Sequence, residues 1–167
     1  MGLCKDYSCC LCYSIPVRTL CIYQCKSAVR IYGTDNYDRR QVFGNRLAYK
    51  TKDPERFDIV IFKYPDDPSQ LFVKRVIGLP GETVNIVDGK VYINDSEEPL
   101  DDSFCPETPE GSFGPYTVPD GCYFMLGDNR NHSMDSRYWQ NTFVEKDAIV
   151  AEVAVRYWPL NKIGTVD

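Results

Sequence analysis

Phe72-Val73-Lys74-Arg75-Val76-Ile77 sets a lysine inside an apolar run that breaks at Gly78-Leu79-Pro80-Gly81. An amine among apolar neighbours loses hydration. That disfavours its charged form and brings its pKa down toward the working range of a general base. Side chains alternate along a strand, so Phe72, Lys74 and Val76 share one face while Val73, Arg75 and Ile77 share the other. Either a charge enters the core side or both faces are covered. The competing reading is an edge strand with the Lys74 ammonium in water, where most lysines are. On this stretch alone the edge-strand reading carries more weight.

A second chemical stretch is Gly127-Asp128-Asn129-Arg130-Asn131-His132-Ser133-Met134-Asp135-Ser136-Arg137. Carboxylates, guanidinium groups, amides and hydroxyls crowd one short loop straight after an apolar run. Such density costs desolvation unless the groups satisfy one another, which points to a built site. A solvated loop is the plainer alternative. Ser133 and Ser136 lie beside His132 and Asp135, the residue types of a catalytic triad. Neighbours on one loop rarely converge, however, so no local triad is expected, and His132 is expected to be exposed.

The elements that must position these stretches read as strands. Residues 58–64 (Asp-Ile-Val-Ile-Phe-Lys-Tyr) are β-branched, aromatic and nearly continuous, hence a strand buried on both faces. A Pro65-Asp66-Asp67-Pro68-Ser69 turn leads into the Lys74 strand, predicting a hairpin. Residues 83–87 and 90–94 flank Asp88-Gly89, the favoured two-residue hairpin turn. Residues 42–49, 122–126 and 148–158 supply further strands, and 99–119, rich in Pro, Gly, Asp and Glu, reads as a surface excursion. Short strands joined by turns, with no long helical period, predict an all-β domain over 42–167 with an insertion at about 87–119.

Residues 1–41 show neither strand nor helix period and are expected to be an aberrant or disordered segment. Six of the eight cysteines crowd its first 25 residues, which argues against a disulfide scaffold spread through the fold. Cys9-x-x-Cys12 followed by Cys21-x-x-x-Cys25 offers thiolates to zinc. The interval between the pairs is short and no histidine lies nearby, so neither metal nor cofactor is expected. A net charge of −5 argues against a nucleic-acid partner. No apolar run reaches the roughly 18 residues of a membrane span.

Residues 72–82 (Phe-Val-Lys-Arg-Val-Ile-Gly-Leu-Pro-Gly-Glu), followed by Gly127-Asp-Asn-Arg-x-x-Ser-x-Asp-Ser-Arg-Tyr-Trp, resemble bacterial type I signal peptidases. The resemblance extends over about 42–164. It implies a Ser/Lys peptidase on a coiled, largely antiparallel, barrel-like β fold, cutting signal peptides after small residues at the outer face of the plasma membrane. On this likeness Lys74 is the general base, kept neutral by burial, and Ser133 orients it. Asp135 pairs with Arg137, with Arg75 as a second candidate partner. Arg75, Asp128, Asn129, Arg130, Asp135, Ser136 and Arg137 support the site, and Val73 lines a pocket for an alanine-sized side chain. The implied partners are the signal peptides of preproteins, bound extended along a sheet edge, and the membrane surface. Trp139, Tyr157 and Trp158 carry rings suited to lipid headgroups, with a packed barrel end as the alternative for Trp158.

The family's nucleophile belongs to a Ser-x-Ser-Met-x-Pro-Thr motif after a membrane span and shortly before Val42, and neither is readable here. Codons permitted for residues 27–41, read one nucleotide later, spell Val-Pro-Ser-Gly-Ser-Met-Glu-Pro-Thr-Ile-Met-Thr-Gly-Asp. Residues 9–17 can likewise be coded so that the shifted frame begins an apolar span. The first forty or so residues are therefore expected to be an out-of-frame reading, with frame regained near Val42. The chain as written is expected to lack anchor and nucleophile, to be soluble and to be inactive. Two rivals remain. One is a self-cleaving repressor with the same Ser/Lys chemistry, disfavoured because no helix-turn-helix pattern is present. The other is a non-catalytic module that binds signal peptides or membrane surface.

Overall fold

The computed structural model describes residues 20–23, 41–158 and 164–165, with side chains over 44–153. The segment expected to hold the nucleophile, residues 27–40, lies outside them, as do all the N-terminal cysteines except Cys21 in β1. Among the described residues the regular structure is β-strand and short 3-10 turns. The strands are β1 (Leu20–Tyr23), β2 (Gln41–Asn45), β3 (Ile59–Tyr64), β4 (Asp67–Gly78), β5 (Thr83–Val87), β6 (Lys90–Ile93), β7 (Phe113–Thr117), β8 (Cys122–Leu126), β9 (Val144–Glu145), β10 (Ile149–Trp158) and β11 (Gly164–Thr165). The larger sheet runs β1-β2-β10-β3-β4-β8-β9 with β11 beside β10, and a smaller one runs β6-β5-β7. Every pairing is antiparallel, as the all-β reading expects. The backbone of Leu20–Tyr23, in the stretch without a sequence period, pairs with β2.

β3 and β4 form the expected hairpin, with Val60 opposite Lys74 and Ile59 opposite Arg75. On its other side β4 pairs with β8, Arg75 lying opposite Leu126. Lys74 is therefore on a central strand, which overturns the edge-strand reading. With a strand on each side its backbone is paired on both edges, and the amine leaves by a sheet face, where what packs on that face decides its access to water.

Alternation along these strands builds the cores. Val60 and Phe62 of β3, Val76 of β4 and Tyr123 and Met125 of β8 pack on one side with Trp139 and Val144. Ile77, Phe124 and Leu126 face the other way, onto Val84, Ile86 and Val91 of the smaller sheet. Ile61 of β3 meets Ala151 and Val153 of β10, with half-buried Val73 against them. Trp139 is buried against Phe62, Tyr64 and Phe72, so it is a core ring and does not face headgroups. Its burial beside three aromatic rings outweighs the pull of its indole N–H toward water. The side chains of Tyr157 and Trp158 lie outside those described.

The smaller sheet occupies 83–117. Asp88 and Gly89 both adopt positive φ, the geometry a two-residue hairpin turn demands. Part of the expected surface excursion is regular: Phe113–Thr117 pairs with β5. Its Pro115 is tolerated because β7 is an edge strand, where the missing N–H goes unneeded.

The two sheets meet closely at Gly78, the last residue of β4. A Cβ there would lie 2.6 Å from Val84 Cγ2, 2.9 Å from Phe124 Cβ and 3.0 Å from Val118 Cγ2. Gly78→Ala is therefore expected to destabilise the fold by about 1–3 kcal/mol, the usual cost of overpacking. A lower urea midpoint at unchanged m-value checks this.

Candidate active site

Lys74 projects from the middle of β4 toward the loop that follows β8. Continuing the β4–β8 register by one residue sets Gly127 against Lys74. A Cβ on Gly127 would sit 2.1 Å from Ser133 Oγ and 3.4 Å from Lys74 Nζ, so only glycine leaves room for the two to meet. They do meet: Lys74 Nζ donates to Ser133 Oγ at 2.7 Å. Lys74 is 5% exposed and Ser133 is buried beside it. Burial is the main force on the amine and lowers its pKa from 10.5 to about 8. The charge of Asp135 works against this shift, that of Arg137 reinforces it, and Asp128 opposes it again.

The loop is held by three arginine–carboxylate forks. Asp135, fully buried, accepts from Arg137 Nε at 2.8 Å and Nη2 at 2.9 Å, and from the Gly127 N–H at 3.0 Å. Arg137 Nη2 also donates to the Arg130 carbonyl at 2.6 Å. Arg75 forks onto Asp128 at 2.8 and 2.9 Å and reaches the Phe57 carbonyl at 3.1 Å. Of the two arginines expected at Asp135, Arg137 takes it, whereas Arg75 closes on Asp128. Arg75 projects from β4 and Arg137 from the loop after β8, and each guanidinium makes its two-point contact with one carboxylate. Arg130 forks onto Asp102 at 2.7 and 2.9 Å. Ser136 Oγ accepts from the Met125 N–H at 2.9 Å, and the Ser136 N–H donates to the Met125 carbonyl at 3.1 Å, fastening the loop to β8. Asn129 precedes the 3-10 turn Arg130–His132, and its Oδ1 is buried without a partner among the described residues.

The two stretches singled out by their chemistry thus converge, and the loop's charged groups are paired within it, with Arg75 of β4 and with Asp102. His132 is exposed, with Glu107 3.9 Å away, and Ser133 is engaged by Lys74 rather than by a histidine. Val73, on the opposite face of β4 from Lys74, is half-buried. Residues that sequence reasoning passed over are Asp102, Phe104 and Phe113, all in the irregular excursion or beside it. The Phe104 ring lies 4.1 Å from the Arg75 guanidinium and 5.9 Å from that of Arg130, and Phe113 lies 5.3 Å from that of Arg137. No period marks them: Asp102 and Phe104 sit in a turn whose path depends on the whole fold, and Phe113 begins a strand broken in pattern by glycine and proline.

A β protein with antiparallel sheets, holding a buried lysine against a loop serine, defines a class of site in which an amine can serve as a base. A family model described as signal peptidase, peptidase S26, matches residues 10–158. The chain belongs to this family. It is 40% identical over 124 residues to probable signal peptidase I-2 of a Synechocystis species, covering 71% of this chain and 55% of that protein. It is 39% identical over 126 residues to signal peptidase I of Leptolyngbya laminosa, covering 71% and 60%. With signal peptidase I P of Bacillus subtilis subsp. natto it shares 36% over 137 residues, covering 76% and 72%. The chain thus spans little more than half the length of the first two relatives. A crystal structure of signal peptidase I from Enterococcus faecalis superimposes with a TM-score of 0.52 at 37% identity, covering 60% of this chain and 97% of that one.

The lowered pKa links the site to stability. Between pH 8 and 10.5 the unfolded chain holds a proton on Lys74 that the folded chain has released, so stability rises with pH through that window. Below pH 8 the buried charge is a constant burden. Lys74→Met is expected to be more stable than the parent at neutral pH by about 3 kcal/mol, with the difference shrinking toward pH 10.5. Urea denaturation of both proteins at pH 7, 9 and 10.5 reads the difference directly.

Proposed function

We propose that this site is the base of a Ser/Lys endopeptidase that removes signal peptides from exported proteins after small residues. The single observation behind it is the buried Lys74 amine bonded to Ser133, its pKa pushed down by that burial toward the range of a general base. In the reaction, Lys74 Nζ accepts the proton of a serine hydroxyl as that oxygen attacks the scissile carbonyl. The Lys74 ammonium returns the proton to the departing amine as the C–N bond breaks, leaving an acyl ester on serine. Lys74 next deprotonates a water, whose oxygen attacks the ester, and the serine oxygen leaves with that proton. Ser133 fixes the amine's direction throughout. Asp135 with Arg137, and Arg75 with Asp128, keep the loop bearing Ser133 seated on β4, while Arg130, Ser136 and Asn129 shape its turn. The substrate lies extended along a sheet edge, with Val73 lining the pocket for an alanine-sized side chain.

The attacking serine is to come from the segment before β2, outside the described residues. The names of the relatives support the substrate class, and a location at the outer face of the plasma membrane follows from the same reading. Among the described residues no helix is long and apolar enough to cross a membrane. A second reading, a signal-peptide-binding module without turnover, is favoured by one observation: residues 27–41 as written contain no serine followed by methionine.

Three proteins separate the readings in a peptide assay with an Ala-x-Ala substrate. They are the chain as written, the same chain with 27–41 replaced by Val-Pro-Ser-Gly-Ser-Met-Glu-Pro-Thr-Ile-Met-Thr-Gly-Asp-Arg, and that second chain with Lys74→Ala. The chain as written is expected to bind without cutting, and the restored chain to cut. Lys74→Ala should then lose roughly 10²–10⁴-fold in rate, the range for removal of a general base. No turnover by the restored chain, or turnover indifferent to Lys74, refutes the peptidase reading.

A further inference from the structure

The smaller sheet carries a segment that is fastened to the site from outside. After β6, the Leu100 N–H donates to the Val91 carbonyl at 2.7 Å, tying the chain back to the sheet. A tight turn follows, closed by the Cys105 N–H on the Asp102 carbonyl at 2.8 Å and by the Ser103 N–H on Asp101 Oδ1 at 2.9 Å. This turn presents Asp102 and Phe104 toward the loop after β8. Asp102 takes the Arg130 fork, and Arg130 is buried. Phe104 lies over the Arg75 guanidinium, with Phe57 edge-on to its ring at 5.7 Å. Further along, Asn131 donates to the Thr108 carbonyl and accepts from the Glu110 N–H, both at 3.0 Å. Phe113 and Tyr138 then enclose the Arg137 guanidinium at 5.3 and 5.1 Å.

Every arginine around the Lys74–Ser133 pair therefore meets the insertion: Arg130 through a carboxylate, Arg75 and Arg137 through aromatic faces. Charge-assisted forks and desolvated cation–π contacts are the stronger members of their classes. Arg75 is the chain neighbour of Lys74, and Arg130 lies three residues before Ser133. Holding these two fixes the two segments whose approach makes the Lys74–Ser133 bond.

We infer that Asp102 and Phe104 are positioning residues of the site, a clamp from the insertion that keeps the loop over 127–137 closed on Lys74. They touch neither Lys74 nor Ser133. Their effect is to exclude water from the amine by holding Arg130 and Arg75. The charged groups that act on Lys74 directly are Asp135, Arg137 and Asp128, and the clamp substitutions leave all three in place. The significance of the clamp for catalysis rests on Lys74 being the base, but its existence does not.

The test uses the full chain, labelled with 13C at lysine Cε, with the Lys74 signal assigned by its loss in Lys74→Met. Two quantities are measured in Asp102→Asn and in Phe104→Leu: the Lys74 titration midpoint, and amide hydrogen exchange at Gly127 and Ser136. Both variants are expected to speed exchange at these two amides by roughly tenfold or more, as a loop opens that a charged hydrogen bond had held. The amides of Ile61 and Phe62 in β3 should be unaffected. The Lys74 midpoint should climb from about 8 toward the ordinary lysine value as water reaches the amine. Asp102→Glu, which keeps the carboxylate, should recover most of both effects. Unchanged loop exchange and an unmoved Lys74 in both variants overturn the clamp. Equal acceleration in β3 and the loop also overturns it, since Asp102 and Phe104 then support the fold in general. A parent Lys74 titrating at the ordinary lysine value would instead remove the base reading, with Gly127 and Ser136 exchange still deciding the clamp.

Discussion

Keeping the Lys74 amine out of water is the constraint that the surrounding structure serves. A protonated amine in an apolar setting is costly, and the cost is reduced when the proton leaves. The group must therefore be enclosed on all sides, and the fold encloses it in stages. Strands β3 and β8 pair both edges of β4, so the amine can leave the sheet only through one face. The core around Phe62, Val76 and Trp139 closes the strand's neighbourhood from one end. The loop after β8 packs against Lys74, and Ser133 accepts a hydrogen bond from the amine.

Closing a site with a loop of arginines and aspartates carries its own electrostatic burden. Buried ions stabilise a structure only when their geometry is good and their remaining donors and acceptors are used. Asp135 meets this condition by accepting from Arg137 and from the Gly127 amide, so the same carboxylate that neutralises a guanidinium also pins the loop's first residue. Ser136 performs the matching task at the far end by completing the β8 ladder at Met125. The loop is thus anchored at both ends to the strand it leaves, and Ser133 is held between the anchors. Gly127 completes this arrangement by what it lacks, because any side chain there would occupy the space of the Ser133 hydroxyl.

How much of this was legible in the sequence follows the physical range of each signal. The β3 and β8 runs announce themselves because burial on both faces leaves an unbroken apolar stretch, and Asp88-Gly89 because its turn needs positive φ. Lys74 and the loop over 127–137 stood out through residue type alone, since charges in such company need a reason. The central position of β4 was not legible: periodicity reports which face a residue takes, but not how many neighbours a strand has. For the same cause Trp139 was open to a lipid-facing reading, as its type suits both an interface and a core. The partner of Arg75 was ambiguous because Asp128 and Asp135 differ only in where the loop carries them. Phe113–Thr117 was hidden by its glycine and proline, which an edge strand tolerates and a central one does not. Asp102 and Phe104 left no trace, because a turn that reaches across the fold has no local pattern.

The choice of cations around the site follows from their chemistry. Arg75, Arg130 and Arg137 are buried or nearly so, and a guanidinium keeps its proton at any ordinary pH. Each is matched by its own carboxylate, Asp128, Asp102 and Asp135, in two-point contact. Three positive and three negative charges close on themselves and leave the pocket neutral. Lys74 stands in the same pocket with a hydroxyl in place of a carboxylate at hydrogen-bond distance. Its proton is therefore the surplus charge, and lysine alone among these cations can shed it. Were Lys74 given an aspartate of its own, the balance would hold the proton in place and the amine would have no lone pair to offer. Were Asp135 or Asp128, whose charges act on Lys74 directly, removed, the uncompensated positive charge would drive the Lys74 pKa lower still, while stranding a buried ion at a cost of several kcal/mol. The pairing of every arginine is what allows the lysine to remain unpaired and basic.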